Sequence, residues 1–180
     1  MTVTKVIVLV FLLAGLSACN DAVRRERQSK ALMNEANLLV KQDTDVTGKW
    51  VDVFVKTFTQ ENRRKFPANR DFLRPNADQI IKFLDESNRL NNTAAEKYEQ
   101  AAALSNNPQQ RSGMLSIAAS FRKTVEANEL IKAQMQMVSD ESIVDEKIFN
   151  ERLLHSWELV RQKADERQKI MEEGKRSLSL

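Results

Sequence analysis

Four glycines and three prolines in 180 residues leave this chain almost nothing with which to build tight turns. β-Sandwiches and barrels need many such turns, so the scarcity argues against them and leaves long helices. The apolar pattern agrees. From Leu32 to Met171, large apolar residues recur three, four and seven positions apart. No bounded run alternates β-branched and polar residues as a strand requires. Trp50–Phe58 comes closest, but its alternation fails at Phe54-Val55, and Trp50, Val53/Phe54 and Phe58 fall at helical spacing. The expected fold is all-α: an elongated antiparallel bundle of four to five long helices. At about 1.5 Å per residue a thirty-residue helix is about 45 Å long, and such helices are held by packing side by side.

Start and stop signals divide the pattern. A first helix is predicted over 22–42, with Leu32, Ala36, Leu39 and Val40 on one face, and a second over 46–65. Asp43-Thr44-Asp45 between them supplies N-cap side chains, and the two are either separate or one kinked helix. Residues 66–75, bracketed by Pro67 and Pro75, read as an irregular connection whose Phe66, Phe72 and Leu73 pack onto the core. Asn76, with Gln79 three residues on, reads as the cap of a third helix, and Thr93-Ala94-Ala95-Glu96 as a second capping box that kinks or restarts it. Asn106-Asn107-Pro108 ends that helix. A fourth spans about 108–138, with Asn128 interrupting its apolar stripe, and a fifth about 143–175, with Gly174 placed as a C-terminal stop. Ala94, Tyr98, Ala101 and Leu104 resemble one helix of a tetratricopeptide repeat, but with no second unit an alanine-rich packing seam explains them.

The first residues follow a different rule. Lys5 precedes an uncharged run from Val6 to Ala14, then Gly15-Leu16-Ser17-Ala18-Cys19. A basic start, an apolar stretch and small residues form the layout of an export signal, too short before Asp21 and Arg24 to span a bilayer. Leu16-Ser17-Ala18-Cys19 resembles the lipobox of bacterial lipoproteins. The resemblance implies a thiolate that takes a diacylglyceryl group, cleavage before Cys19, and a mature chain anchored by palmitate-type acyl chains. Asn20 directly after Cys19, with Asp only at 21, implies the outer membrane, facing the periplasm. The division expected is a signal peptide at 1–18, a lipid-anchored start at 19–21, one helical domain at 22–176 and a tail at 177–180.

Removing 1–18 takes away only Lys5, leaving 27 basic and 25 acidic side chains. So even a balance lacks the basic bias of a nucleic-acid binder. Arg24, Arg25, Arg27 and Lys30 form a membrane-proximal basic segment. It suits anionic headgroups within a Debye length, though Asp21 and Glu26 also make it an ordinary solvated helix start. Arg63-Arg64-Lys65 sits where cations favour a helix C-terminus.

Little assembles into reaction chemistry. With one cysteine there is no disulfide framework, and with one histidine no multi-histidine metal motif. Glu151 and His155 share a helix face, but a metal site needs a further ligand, and a surface pair explains them. Asp140, Glu141, Asp145 and Glu146 lack the glycine and spacing of a calcium loop and suit a helix N-terminus. Ser112-Gly113 is a loop-like dipeptide rather than a nucleophile elbow. Met33, Met114, Met135, Met137 and Met171 fit either a core or an adaptable groove. No catalytic residue, metal ligand or cofactor is assigned. The leading reading is a membrane-anchored periplasmic lipoprotein that binds another protein or serves structurally. A helical carrier with an apolar cavity of at least about 300 Å³ is the alternative. A cell-wall-directed enzyme, needing two acids of raised pKa in a cleft, comes last.

Overall fold

The computed structural model describes the backbone of residues 3–179 and the side chains of residues 21–179. Five helices follow in order: α1 (Val3–Thr57), the short α2 (Gln60–Arg64), α3 (Arg70–Leu104), α4 (Pro108–Met137) and α5 (Glu146–Leu178). No strand occurs among the described residues. The four long helices form an antiparallel bundle.

The packing order is α1 on α3, α3 on α4, and α4 on α5, with α2 touching α5. Partners along each seam run in opposite directions. Ser29 Oγ donates to the Ala101 carbonyl, Tyr98 Oη to Asn37 Oδ1, and Ser87 Oγ to Asp43 Oδ1. Between α3 and α4, Arg122 grips Glu99 while Lys132 reaches Asp85. The outer helices α1 and α5 meet edge to face at Phe54 and Trp157, with ring centroids 5.2 Å apart.

The core has two apolar lobes separated by a polar layer. The first gathers Trp50, Phe58, Phe66, Leu73, Ile80, Leu84, Ile131, Met135, Phe149 and Leu153; the second gathers Ala36, Ala94, Tyr98, Ala101, Met114, Ile117 and Phe121. Burying a large side chain such as Phe149 or Leu73 contributes about 1.5–3 kcal/mol, so each lobe is a substantial store of stability. Between them, Asn128 Nδ2 donates to Ser87 Oγ and to Asn88 Oδ1, both at 2.9 Å, and Asn91 Nδ2 donates to the Ser87 carbonyl. Asn88 in turn donates to Glu129. The polar interruption at Asn128 and the polar stretch around Ser87 are therefore two halves of one buried network.

Several boundaries differ from those read in the sequence. No break occurs at 43–45. Asp43 turns inward to Ser87, Thr44 Oγ1 donates back to the Val40 carbonyl, and packing on α3 overrides the capping propensity. The chain instead stops at Thr57. Thr59 caps α2 by accepting from the Asn62 N–H, and Asn62 Nδ2 covers the Thr57 carbonyl. Neither proposed cap in α3 is a cap: Asn76 Nδ2 donates to the Phe72 carbonyl, and Thr93 Oγ1 to that of Arg89. Pro75 lies inside the helix, as its sixth residue. Phe66 and Leu73 pack down as expected, Phe66 stacking on Phe149 at 4.1 Å, whereas Phe72 is 53% exposed. The caps at Asn107 and Asp145 each accept two backbone N–H groups.

Gly174 does not end α5, and Gly113 is not in a loop. They are buried where α4 and α5 approach most closely. A Cβ on Gly174 would stand 2.7 Å from Ile117 Cγ1 and 2.9 Å from the Gly113 carbonyl oxygen. A Cβ on Gly113 would stand 2.9 Å from the Gly174 oxygen. These glycines set the helix separation rather than a turn.

Two predictions follow from the packing. Gly174→Ala lowers stability by about 1–3 kcal/mol through overpacking, while Gly48→Ala, with open space around it, raises it by about 0.5–1 kcal/mol. Urea titration of both variants reads the opposite signs. Gln134 is 1% exposed with neither amide atom bonded, so Gln134→Met raises stability by about 1–3 kcal/mol. Asn128→Leu, which orphans Asn88, lowers it by a similar amount.

Candidate functional site

The bundle has one open flank. From Phe54 and Trp157 toward Asp21, the outer helices part and leave a cleft between them, above residues of α3 and α4 that stay buried. The cleft there has a volume of about 640 Å³. Its floor is Tyr98 from α3 with Ile117 and Phe121 from α4. One wall is Asn37 and Val40 of α1; the other is Ala164, Gln168 and Met171 of α5. Asp165, Arg167, Glu172 and Lys175 add charge along the α5 rim.

Helical periodicity builds this lining. Asn37 and Val40 flank the face of α1 that buries Ala36, and Ile117 and Phe121 are four apart on α4. Tyr98 is held by its bond to Asn37 at 3.0 Å and packs against Phe121, and burial pushes its phenol pKa upward. A second recess of about 220 Å³ abuts the cleft, lined by Ser29, Met33, Met114 and Leu178 among others. Its residues sit one turn away on α1, α4 and α5, so the two are separate recesses in line along the α1–α5 seam, together a discontinuous trough. Three of the five methionines named from sequence, Met33, Met114 and Met171, line it, while Met135 lies in the core.

The remaining sequence candidates are placed separately. His155 and Glu151 do not form a pair. His155 Nδ1 is 3.9 Å from Glu158, Glu151 faces Lys147 at the same distance, and both are solvated. Among the described residues no three His, Cys, Asp or Glu side chains gather around a point. Asp145 caps α5, and Asp140 accepts from the Ser142 hydroxyl and N–H, which hold its pKa below the ordinary carboxylate value. Arg24 pairs with Asp21 at 3.3 Å and Lys30 with Glu26 at 2.8 Å, while Arg25 and Arg27 are exposed. The signal segment 1–18 and Cys19 lie outside the residues whose side chains are described. Among the described residues no helix is long and apolar enough to cross a membrane.

On the seam between α4 and α5, Lys123 and Lys163 interlock with Glu126 and Glu166 at 2.8–3.5 Å. The hydrogen bond from Lys123 is the main reason that the Glu126 pKa is lowered. The sequence marks the cleft's aromatic and aliphatic parts as core stripe, and its methionines as core or adaptable groove. What marks them is the tertiary order of the helices, which leaves α1 and α5 apart.

Compared with protein-family models, curated proteins and solved structures, the chain matches none.

The Glu126 shift fixes a pH dependence. A folded-state pKa below the unfolded one gives stability that is present above the ordinary value of 4.5 and lost as pH falls through the lowered folded value. The residue is half exposed, so the effect stays below about 1 kcal/mol. Denaturation midpoints of wild type and Glu126→Gln are therefore expected to differ at neutral pH and converge in acid.

Proposed function

We propose that this chain is a lipoprotein of the bacterial envelope, anchored through Cys19 with its body in the periplasm, and that it acts by binding another protein. The observation that supports binding is the trough between α1 and α5. A four-helix bundle ordinarily closes on itself, whereas here α1 and α5 part along a seam over the buried residues Tyr98, Ile117 and Phe121. From Glu26 to Val40 the seam is about 21 Å long, or four helical turns. That length, with apolar walls inside a rim bearing both charge signs, fits one amphipathic helix presented by a partner. The membrane tether raises the effective concentration of such a partner at one surface. A second reading keeps its place because of the cleft's size. At about 640 Å³ it falls within the range of small-ligand sites, so an apolar ligand carrier fits the same walls. The enzyme reading draws no support from the carboxylates, since every resolved carboxylate shift is downward and comes from lysine or serine partners.

Two experiments test this. Metabolic palmitate labelling is expected to mark wild type and not Cys19→Ser; an unlabelled wild-type chain overturns the anchor. A photo-crosslinking residue at Val40 is expected to capture a protein whose cross-linked peptide carries apolar residues at helical spacing. Ala164→Arg, a change at an exposed cleft wall, should abolish that capture. Adducts only with a lipid or metabolite would favour the carrier instead.

A further inference from the structure

The two ends of the bundle carry opposite charge balances. The end of the bundle nearest residue 21 is completed by the α3–α4 turn and the last turn of α5, because Ala22, Val23 and Glu26 border Leu104–Asn107, and Lys30 and Met33 border Leu178. Residues 21–30, 105–111 and 174–178 there hold seven Lys and Arg side chains against two acids, Asp21 and Glu26. Counting Glu172 and Glu173 a turn deeper still leaves seven against four. At the opposite end, residues 60–74 and 138–152 also hold seven cations, but they face seven acids. The excess is therefore local to one end of a chain that is otherwise nearly balanced.

The fold adds three cations that the sequence kept apart. Arg111 in the first turn of α4 and Lys175 and Arg176 in the last turns of α5 sit beside Gln110 and Leu178, which border the Arg24–Lys30 segment, and all three are exposed, Lys175 also edging the cleft. Among the described residues, Arg25, Arg27, Arg111, Lys175 and Arg176 make no ion pair, while both acids of this end are already taken by Arg24 and Lys30. A set of unpaired cations on three helices at one end forms a collar around α1.

We infer that this collar is a docking surface for an anionic phospholipid bilayer, and that it seats the bundle end-on against the membrane. The position of α1 selects a lipid surface over another polyanion. The collar surrounds α1 at residues 21–30, beginning two residues beyond Cys19, so anchoring there holds Arg24 and Arg25 within about a Debye length (about 10 Å) of the headgroups, with Lys30 about 17 Å along the helix. In this respect the inference rests on the anchored reading of Cys19. Each cation near an anionic surface strengthens association by about fivefold, so three together contribute about a hundredfold. End-on seating puts the Glu26 end of the trough at the bilayer and its Val40 end away from it. Val40 lies nineteen residues along α1 from Asp21, or about 29 Å, and Thr57 lies about 54 Å from it.

The test uses the full chain as isolated from membranes. With Cys19 acylated, a cysteine introduced as Asn106→Cys in the α3–α4 turn is the only free thiol and takes a fluorophore. The labelled protein is reconstituted on phosphatidylcholine vesicles with and without phosphatidylglycerol, and quenching by a headgroup-attached quencher is measured. Severalfold stronger quenching with phosphatidylglycerol is expected, and it should be lost in high salt. It should also be lost in Arg111→Gln/Lys175→Gln/Arg176→Gln, whose helix content by circular dichroism should match wild type. Equal quenching on both vesicles, or a triple variant that behaves as wild type, overturns the proposal. Salt-sensitive binding to a soluble polyanion without any vesicle dependence overturns the lipid assignment. The mass of the N-terminal peptide reports acylation separately, so a failed anchor and a failed collar are told apart. If Cys19 proves unmodified, co-sedimentation of the same chain and triple variant with the two vesicle types decides the collar.

Discussion

The bond between Asn128 and Ser87 sets the register of α3 against α4, the pair on which the outer helices pack. Buried polar groups must find partners or lose about 1–3 kcal/mol each, so α3 and α4 can slide past one another only by breaking this layer. Apolar stripes alone tolerate register shifts, because one leucine resembles the next. A single polar layer penalises every alternative alignment, as a polar core residue does in a coiled coil. Asp43 extends the constraint to α1 by accepting from Ser87, so three of the four long helices share one register.

Once that register is set, the two apolar lobes fall on either side of it and behave differently. The lobe holding Phe66, Phe149 and Trp50 is closed by large side chains, with Phe54 and Trp157 joining the outer helices. The other is built from Ala36, Ala94, Ala95, Ala101 and Ala102, with Gly113 and Gly174 drawing α4 and α5 together. Small residues bring α1 close to α3, and α5 close to α4, but leave nothing to span from α1 to α5. The open trough follows from that choice of side-chain size, and so does the cluster of three helix ends that makes up the basic collar.

Much of the fold was legible because its periodicity is long and uninterrupted. The helical class, the start of α4 at Pro108 after Asn107 and the inward packing of Phe66 and Leu73 all follow from local spacing and capping chemistry. The errors share a form. Asp43-Thr44-Asp45, Asn76, Thr93 and Gly174 carry local signals for ends, yet each lies inside a helix: Asp43 and Gly174 meet partners on other helices, while Thr44, Asn76 and Thr93 turn their side chains back to the carbonyl four residues earlier. The trough was illegible because its lining is also core packing: Ile117 is buried, and Val40 and Met171 are part-buried against the same lobe.

The sequence by itself determined that the chain is helical, since helix periodicity is carried by residues within a few positions of each other. It also contained the lipobox-like Leu16–Cys19 pattern and the placement of cations near it. Only the tertiary structure decided which helices touch, that Asn128 answers Ser87, that two glycines serve close approach, and that Arg111, Lys175 and Arg176 lie at the same end of the bundle as the Arg24–Lys30 segment. Those outcomes depend on pairs tens of residues apart, whose encounter is set by side-chain volume and buried hydrogen bonds rather than by any local pattern.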